Sequence, residues 1–376
     1  MTTRADIAVL GGGLLGRLTA LALRRQGRSV ALYDAAGPAG EGAAAYVAAG
    51  MITPMAEAAV ADNDIVAMGF DSLSRWPQLL ATLARPVFYQ HKGTVVVWHR
   101  QEQAEAHQFV AMVRQHSLTG QKTDSMQRLD ATGLAVHAAS LSDRFSEGLY
   151  LPDEGQVDNR QVLAALAVTL EAEGVACHWH HPVSEDALPA AGLHIDCRGL
   201  GAKAHWPGLR GVRGEVLRLY APDVQLDRMV RLLHPRYSLY LVPRENGRVV
   251  MGATSLESED MSPMSVRSAL EMLSAAYAVH PGFAEARIEE MSTQCRPALA
   301  DNNPAIRVQQ QHGQTVIAAN GLYRHGFLLA PVVADEIAML VRQMDTETDA
   351  VTAFARQHQQ SIWPALYGGM PQQEAA

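Results

Sequence analysis

Residues Gly11 to Gly16 read "GGGLLG", and what flanks them constrains the chain more than any other segment. "ADIAVL" before the glycines is a short, mostly apolar run that predicts a buried parallel strand. "LLGRLTALALRRQG" after them sets Leu14, Leu18, Leu21 and Ala22 at helical spacing, with Gly27 as the helix end. "SVALYD" then reads as a second strand closing on Asp34, which lies 21 residues after Gly13. Strand, glycine loop, helix, strand and acid in this order form the dinucleotide fingerprint. Its parts have physical roles: Gly11 for the tight turn, Gly13 for backbone approach to a pyrophosphate, and Gly16 for close helix packing. The helix N-terminus supplies N–H groups and a positive dipole end for phosphates, and Asp34 a partner for a ribose hydroxyl.

Length and composition narrow the class. A chain of 376 residues predicts about two domains. It is 48% hydrophobic and 19% charged, which suits a globular enzyme with a sizeable core. A formal charge of −8 and a pI near 6.0 exclude the basic stripe of a nucleic-acid binder. Cys177, Cys197 and Cys295 lie far apart with no Cys-x-x-Cys, so they are expected as reduced thiols in a cytoplasmic protein. The N-terminal apolar stretch is short and broken by glycines, unlike a secretory signal. "GFLLAPVVADEIAML" is the best candidate for a membrane span, and Asp335 and Glu336 interrupt it.

Three downstream segments point from a generic dinucleotide to a flavin. "GPAGEGAAAYVAAGMITPMAEA" is a long run of small residues where a nicotinamide enzyme continues into an ordinary helix. Small side chains let a flat ring system and its ribityl chain lie against the backbone. "GLHIDCRGLGA" reads as a strand ending in a glycine turn. "TVIAANGLYRHGFLLAPVVADEIAMLVRQM" reads as a strand, a turn at Asn320–Gly321, and a long helix starting near Gly326. Pro331 is compatible with that helix only in its first turn. These returns to one sheet imply a discontinuous nucleotide domain around a second domain. In the latter, "GEVLRLYA", "YSLYLVPRE" and "RVVMGATS" are strand-like, Asn246–Gly247 is a hairpin signal, and "SVRSALEMLSAAYAVHP" is an amphipathic helix. "HWHH" (His178 to His181) raises a metal reading: His178 and His180 would share a strand face, yet spacing places no third ligand. An exposed strand with neutral imidazoles and no metal site is the expectation.

With these pieces assembled, the chain resembles the D-amino-acid-oxidase-like flavoproteins, most closely the glycine oxidases of the thiamine pathway. The similarity runs from "IAVLGGGLLG" to "NGLYRHGFLLAP" through "GQVDNRQVLAAL", "DCRGLGA", "GVRGEVLRL", "HPRYSLYLVPR", "GRVVMGATSLES" and "CRPALADNNPAI". It implies an α/β fold with an α+β second domain: a Rossmann-type FAD-binding domain over residues 1–86, 149–216 and 291–376, and a substrate domain over 87–148 and 217–290 with a large, mostly antiparallel sheet. It implies non-covalent FAD, held by the glycine loop with Leu14 and Leu15, by Asp34, and by Ala49, Gly50 and Met51. Val183, Arg198, Gly199 and Gly201 continue that cofactor surface. Tyr323, Arg324, His325, Gly326, Phe327 and Leu328 complete it.

The implied reaction oxidises glycine, sarcosine or a small D-amino acid to an imine, which hydrolyses to the oxo acid while O2 becomes H2O2. A homo-oligomer is the expected assembly, and thiamine thiazole synthesis the expected destination of the product. Arg296 matches the family's carboxylate arginine, Tyr240 its hydrogen-bonding helper, Arg324 a second active-site arginine, and Met51 a position beside the flavin. Thr53 stands where a glycine is expected, Ser238 replaces a histidine and His325 an asparagine, which leaves the substrate open. Hydride transfer needs no enzymic base once the amine is neutral, and no His/Asp-type pair stands out. Two alternatives remain at this point: a FAD dehydrogenase passing electrons to a quinone or carrier, and a FAD-binding subunit without turnover.

Overall fold

Ile7–Leu10 is buried throughout, as a continuous apolar run predicts for a central parallel strand. In the computed structural model, which describes residues 5–117, 122–184, 187–235, 239–347 and 349–368, it lies inside a six-stranded sheet. The order is Ala305–Gln311, Gln314–Asn320, Leu193–Asp196, Ile7–Leu10, Val30–Tyr33, Ala176–His178. All neighbours are parallel except the hairpin of the first two. Four strands read from distant parts of the sequence therefore end at one edge, at Leu10, Tyr33, Asp196 and Asn320. In open parallel sheets that carboxyl edge is where ligands bind.

The helix Leu14–Arg25 returns from that edge and packs into one core with the helix Gly326–Met344. Pro331 is the sixth residue of the latter helix, beyond the first turn, contrary to the sequence expectation. A proline there leaves the carbonyl four residues back, on Phe327, without its helical donor. The Trp76 indole supplies it, donating Nε1–H to Phe327 O at 2.9 Å from a fully buried position. A distant side chain thus removes the cost that would exclude the proline.

The second sheet has eight strands, ordered Arg287–Ala298, Arg210–Tyr220, Arg248–Gly252, Leu239–Pro243, Met229–Leu232, Thr94–Val97, Glu147–Leu151, Gln127–Asp130. It is antiparallel except where Met229–Leu232 meets Thr94–Val97. Asn246 and Gly247 take positive φ of 59° and 71° in the tight connection before Arg248, the conformation for which Asn-Gly is suited. The helix Val266–Val279 is capped by the Ser265 side chain, which accepts from Ser268 N. Its apolar face joins Leu217, Val249 and Met251 of the sheet. The expected domain boundaries at 148/149, 216/217 and 290/291 fall within three strands of this sheet. A small third sheet pairs Met51–Ile52 and Tyr89–Gln90 with Gly155–Val157 between them. Among the described residues no helix is long and apolar enough to cross a membrane.

Candidate active site

A cavity of about 690 Å³ opens along the carboxyl edge of the six-stranded sheet and runs to the wall of the eight-stranded one. Its first end is built by the glycine loop. Gly11 has φ +93°, and a Cβ there would lie 2.7 Å from Cys197 O. A Cβ at Gly16 would lie 1.8 Å from Gly11 O, so this glycine closes the loop on itself and does not line the cavity. Gly13 is different, since its Cβ would meet only Ala43 Cβ, at an ordinary 3.7 Å. The protein has room for a side chain there, and that room faces the cavity. Gly13 is also the N-cap of the helix Leu14–Arg25, with no capping side chain and no acid in the first turn. Unsatisfied N–H groups and a positive dipole end are thus presented to the cavity beside Leu14 and Leu15.

Asp34 lines the same end and braces the loop, accepting from Gly12 N and, at 2.7 Å, from Ala36 N. Arg17 was not recognised from sequence. Fully buried, it donates to Gly12 O at 2.5 Å, Pro38 O at 2.8 Å and Leu163 O at 2.6 Å, tying the loop to the segment after Asp34 and to the helix Asn159–Ala172. Burial pulls Arg17 down to about 10, which leaves it charged near neutrality. Val183, Arg198, Gly199 and Gly201 line the neighbouring stretch. Arg198 pairs with Asp196 at 2.7 Å and reaches Val183 O at 3.4 Å.

The small-residue run forms the long wall: Ala43, Ala44, Ala45, Ala49, Gly50 and Met51 all face the cavity. Opposite stand Tyr323, Arg324, His325, Gly326, Phe327 and Leu328. The helix Gly326–Met344 also begins without a capping side-chain bond or an acid in its first turn. Two uncapped helix N-termini therefore serve one cavity. The residues fit a flavin dinucleotide: one terminus suits a pyrophosphate, and the other an electron-rich ring edge.

At the far end lie Arg296, Thr53, Glu57, Arg324, His325 and Tyr323. Arg296 comes from the strand Arg287–Ala298. Its guanidinium lies flat over Gly214 of the paired strand, where a Cβ would come within 2.5 Å of Cζ. It donates to Thr254 O at 3.1 Å from both Nη atoms and to Arg213 O at 3.4 Å. Among the described residues no carboxylate pairs with it. Arg324, by contrast, donates to Glu57 Oε1 at 2.9 Å, and His325 Nδ1 lies 3.3 Å from Glu57 Oε2. Burial alone pushes the Glu57 carboxyl up, but the charge and hydrogen bond of Arg324, with the charge of Arg231, outweigh it and hold the group at about 2. Burial, with repulsion from Arg324 and Arg296, lowers His325 to about 4 against the pull of Glu57. The pair is a carboxylate facing a neutral imidazole, a juxtaposition the sequence did not reveal.

Tyr240 is not brought to the cavity wall. Its buried hydroxyl accepts from Arg231 Nη1 at 3.0 Å, and the same nitrogen reaches Ala56 O at 3.1 Å. The tyrosine beside Arg324 on the wall is Tyr323, which takes a left-handed φ of 48° and sets its hydroxyl 3.3 Å from Ser255 Oγ. Such a conformation in a non-glycine residue costs of order 1–3 kcal/mol and is held by its surroundings. Ser238 lies outside the described residues.

The "HWHH" segment has another use. The strand ends at His178, so His180, with φ 54°, does not share its face. His178 stacks on Tyr33 at 4.5 Å, His181 tilts against the same ring at 5.5 Å, and Trp179 lies under Arg17 at 4.8 Å. Among the described residues no three His, Cys, Asp or Glu converge to hold a metal ion. Cys177, Cys197 and Cys295 are unpaired.

A parallel-strand edge bearing two uncapped helix N-termini, with a half-buried arginine at the far end of the same cavity, is the arrangement of a dinucleotide-dependent enzyme acting on an anionic substrate. The family model for FAD dependent oxidoreductases matches residues 6–340, and the chain belongs to that family. FAD is the cofactor. A Rhizobium etli protein provisionally named thiamine biosynthesis oxidoreductase ThiO is 38% identical over 88% of this chain and 95% of its own. Glycine oxidase of Geobacillus kaustophilus is 24% identical over 93% of this chain and 96% of its own. Its crystal structure superposes with a TM-score of 0.78, covering 91% of this chain and 95% of that one at 23% identity, which shows a shared fold.

Proposed function

We propose that this protein oxidises a small amino acid, glycine or a near relative such as sarcosine or a small D-amino acid, to its imine. The imine hydrolyses to the oxo acid, and dioxygen is reduced to hydrogen peroxide. The observation that carries this reading is Arg296. It is a cavity-lining cation with no acidic partner among the described residues: its Nη atoms donate only to backbone carbonyls, so its charge is left uncompensated for a substrate carboxylate, which its remaining N–H groups can meet in charge-assisted bonds. Arg198 and Arg324 line the same cavity but are each neutralised by a carboxylate.

FAD, held by the glycine loop and the Gly326 helix end, would supply the acceptor for the hydride of the substrate α-carbon. The protein's part is to bind and orient. Arg296 fixes the carboxylate, and Gly214 leaves the space in which the guanidinium lies. Tyr323 offers a hydroxyl on that wall in place of the one expected from Tyr240. Met51 and Thr53 bound the wall and keep the substrate small. His325, held neutral, adds no positive charge against the amine, and the nearby guanidiniums favour the amine without its extra proton. The thiamine-biosynthesis name of the Rhizobium etli relative supports a destination for the imine in thiazole assembly.

Turnover of glycine, sarcosine, D-alanine and a simple amine by the FAD-loaded enzyme, followed by peroxide release, tests the reading. Arg296→Met should cost about 3–5 kcal/mol in kcat/KM for amino acids, because a desolvated carboxylate loses its charged partner. A carboxylate-free amine should be a poor substrate and indifferent to the change. Unchanged kcat/KM for glycine in Arg296→Met would overturn the assignment, and dye reduction without peroxide would mark a dehydrogenase instead.

A further inference from the structure

The two guanidiniums at the substrate end are in different electrostatic states. Arg296 bonds only backbone carbonyls, whereas Arg324 is paired with Glu57. Glu57 is only 5% exposed and sits at the end of the short helix Pro54–Glu57, directly after the flavin-facing wall. Its other oxygen faces the neutral His325 ring. Counting ionised side chains that line this end, Arg296 and Arg324 are positive and Glu57 is negative, which leaves one uncompensated positive charge. Arg231, behind the wall, adds to the positive field without lining it. An amino acid whose amine is neutral carries one negative charge, so substrate and site match.

We propose that Glu57 sets the substrate class: by neutralising Arg324 it leaves Arg296 as the sole anion receptor and confines the cavity to amino acids bearing a single carboxylate. The inference rests on the amino-acid-oxidase reading above. Removing the Glu57 charge would free the Arg324 fork for a second carboxylate, as in a dicarboxylic amino acid. Removing Arg324 alone would leave a bare carboxylate beside the substrate's own. Removing both would restore the original balance. Glu57 acts through Arg324 and is a positioning and specificity residue.

The test is equilibrium binding of two unreactive probes, acetate and malonate, to the FAD-loaded enzyme, read by the change in flavin absorbance and by thermal shift. Glu57→Gln should favour malonate over acetate by about tenfold or more relative to the parent enzyme, the scale of one charge pair in a partly buried site. Arg324→Gln should weaken acetate binding by about tenfold. Glu57→Gln/Arg324→Gln should return acetate to within about threefold of the parent, since the two changes act on one pair. A malonate-to-acetate preference unmoved in Glu57→Gln, while Arg296→Met still abolishes acetate binding, would overturn the role of Glu57 and leave the oxidase reading standing. Acetate binding that ignores Arg296→Met would instead sink that reading. If Glu57→Gln fails to fold or to retain FAD, the Arg324→Gln arm decides: undiminished acetate affinity there refutes the charge balance.

Discussion

Gly214→Ala is the change that most directly probes how the carboxylate grip is built. Gly214 lies inside the long strand Arg210–Tyr220, and its backbone is not in the left-handed region, so alanine fits the local conformation. The obstacle is Arg296. A Cβ at position 214 would lie 2.5 Å from its Cζ and Nη2 and 2.6 Å from its Nη1. Non-bonded heavy atoms prefer about 3.5–4.0 Å, so the guanidinium must move by about 1 Å. A long side chain can make that shift at little cost to the fold, and replacing a strand glycine by alanine recovers about 0.5–1 kcal/mol. The grip fares worse, because the bonds from Arg296 to Thr254 O are already 3.1 Å long and the fork loses its aim. Losing one hydrogen bond to a charged group costs about 1.5–3 kcal/mol, or roughly 10- to 100-fold in kcat/KM. Peroxide-release kinetics on glycine, with a carboxylate-free amine as control, should show that fall for the amino acid alone. The melting temperature should stay level or rise. Unchanged kcat/KM for glycine, or an equal loss for the amine, would refute the placement of the guanidinium over Gly214.

The remaining expectations concern cofactor retention, acid sensitivity and packing. Asp34→Ala should weaken FAD retention by about 1–3 kcal/mol, measured by flavin release on dilution, because the carboxylate lines the nucleotide end and braces Gly12 and Ala36. His325 is lowered to about 4 by burial, below its ordinary 6.5, so the unfolded chain takes up this proton first. Stability should therefore fall as pH drops from about 6.5 towards 4, and His325→Asn should flatten that slope in urea unfolding series. Trp76→Phe should destabilise the fold by about 1–3 kcal/mol, seen as a lower urea midpoint, since Phe327 O loses the donor that makes Pro331 tolerable.

The parts of this molecule that were legible in the sequence are those whose cause is local. The glycine loop, the acid at Asp34, and the strand-to-glycine turns before Gly199 and Gly321 each carry their signal within a few residues. All of them end at one cavity, with Gly16 serving the loop itself. Pro331 is not legible from its own helix, because the donor that compensates for it, Trp76, lies 251 residues from the Phe327 carbonyl it serves. The position of Tyr240 is hard to read for a related reason. Its strand, Leu239–Pro243, is buried at every position, so the two-residue alternation that separates one face from the other is lost. Nothing local then tells whether the hydroxyl meets the substrate or Arg231.

The chemistry-bearing residues that escaped sequence reading share that property in stronger form. Arg17 looks like one more cation on an amphipathic helix, and its Leu163 acceptor is 146 residues distant. Glu57 looks like an acid in an alanine-rich turn, and its Arg324 partner is 267 residues distant. Gly214 looks like a weak point in a strand, until the register pairs Val212 with Arg296 and drives a guanidinium across it. In each case the residue type is ordinary, and its role follows from what the sheet register or a helix end sets beside it. An arginine opposite a glycine and an arginine opposite a glutamate are therefore chemically different residues. The first keeps its charge available for an anion, and the second has spent it within the protein. That difference, more than the count of arginines in the cavity, decides where a substrate carboxylate can be held.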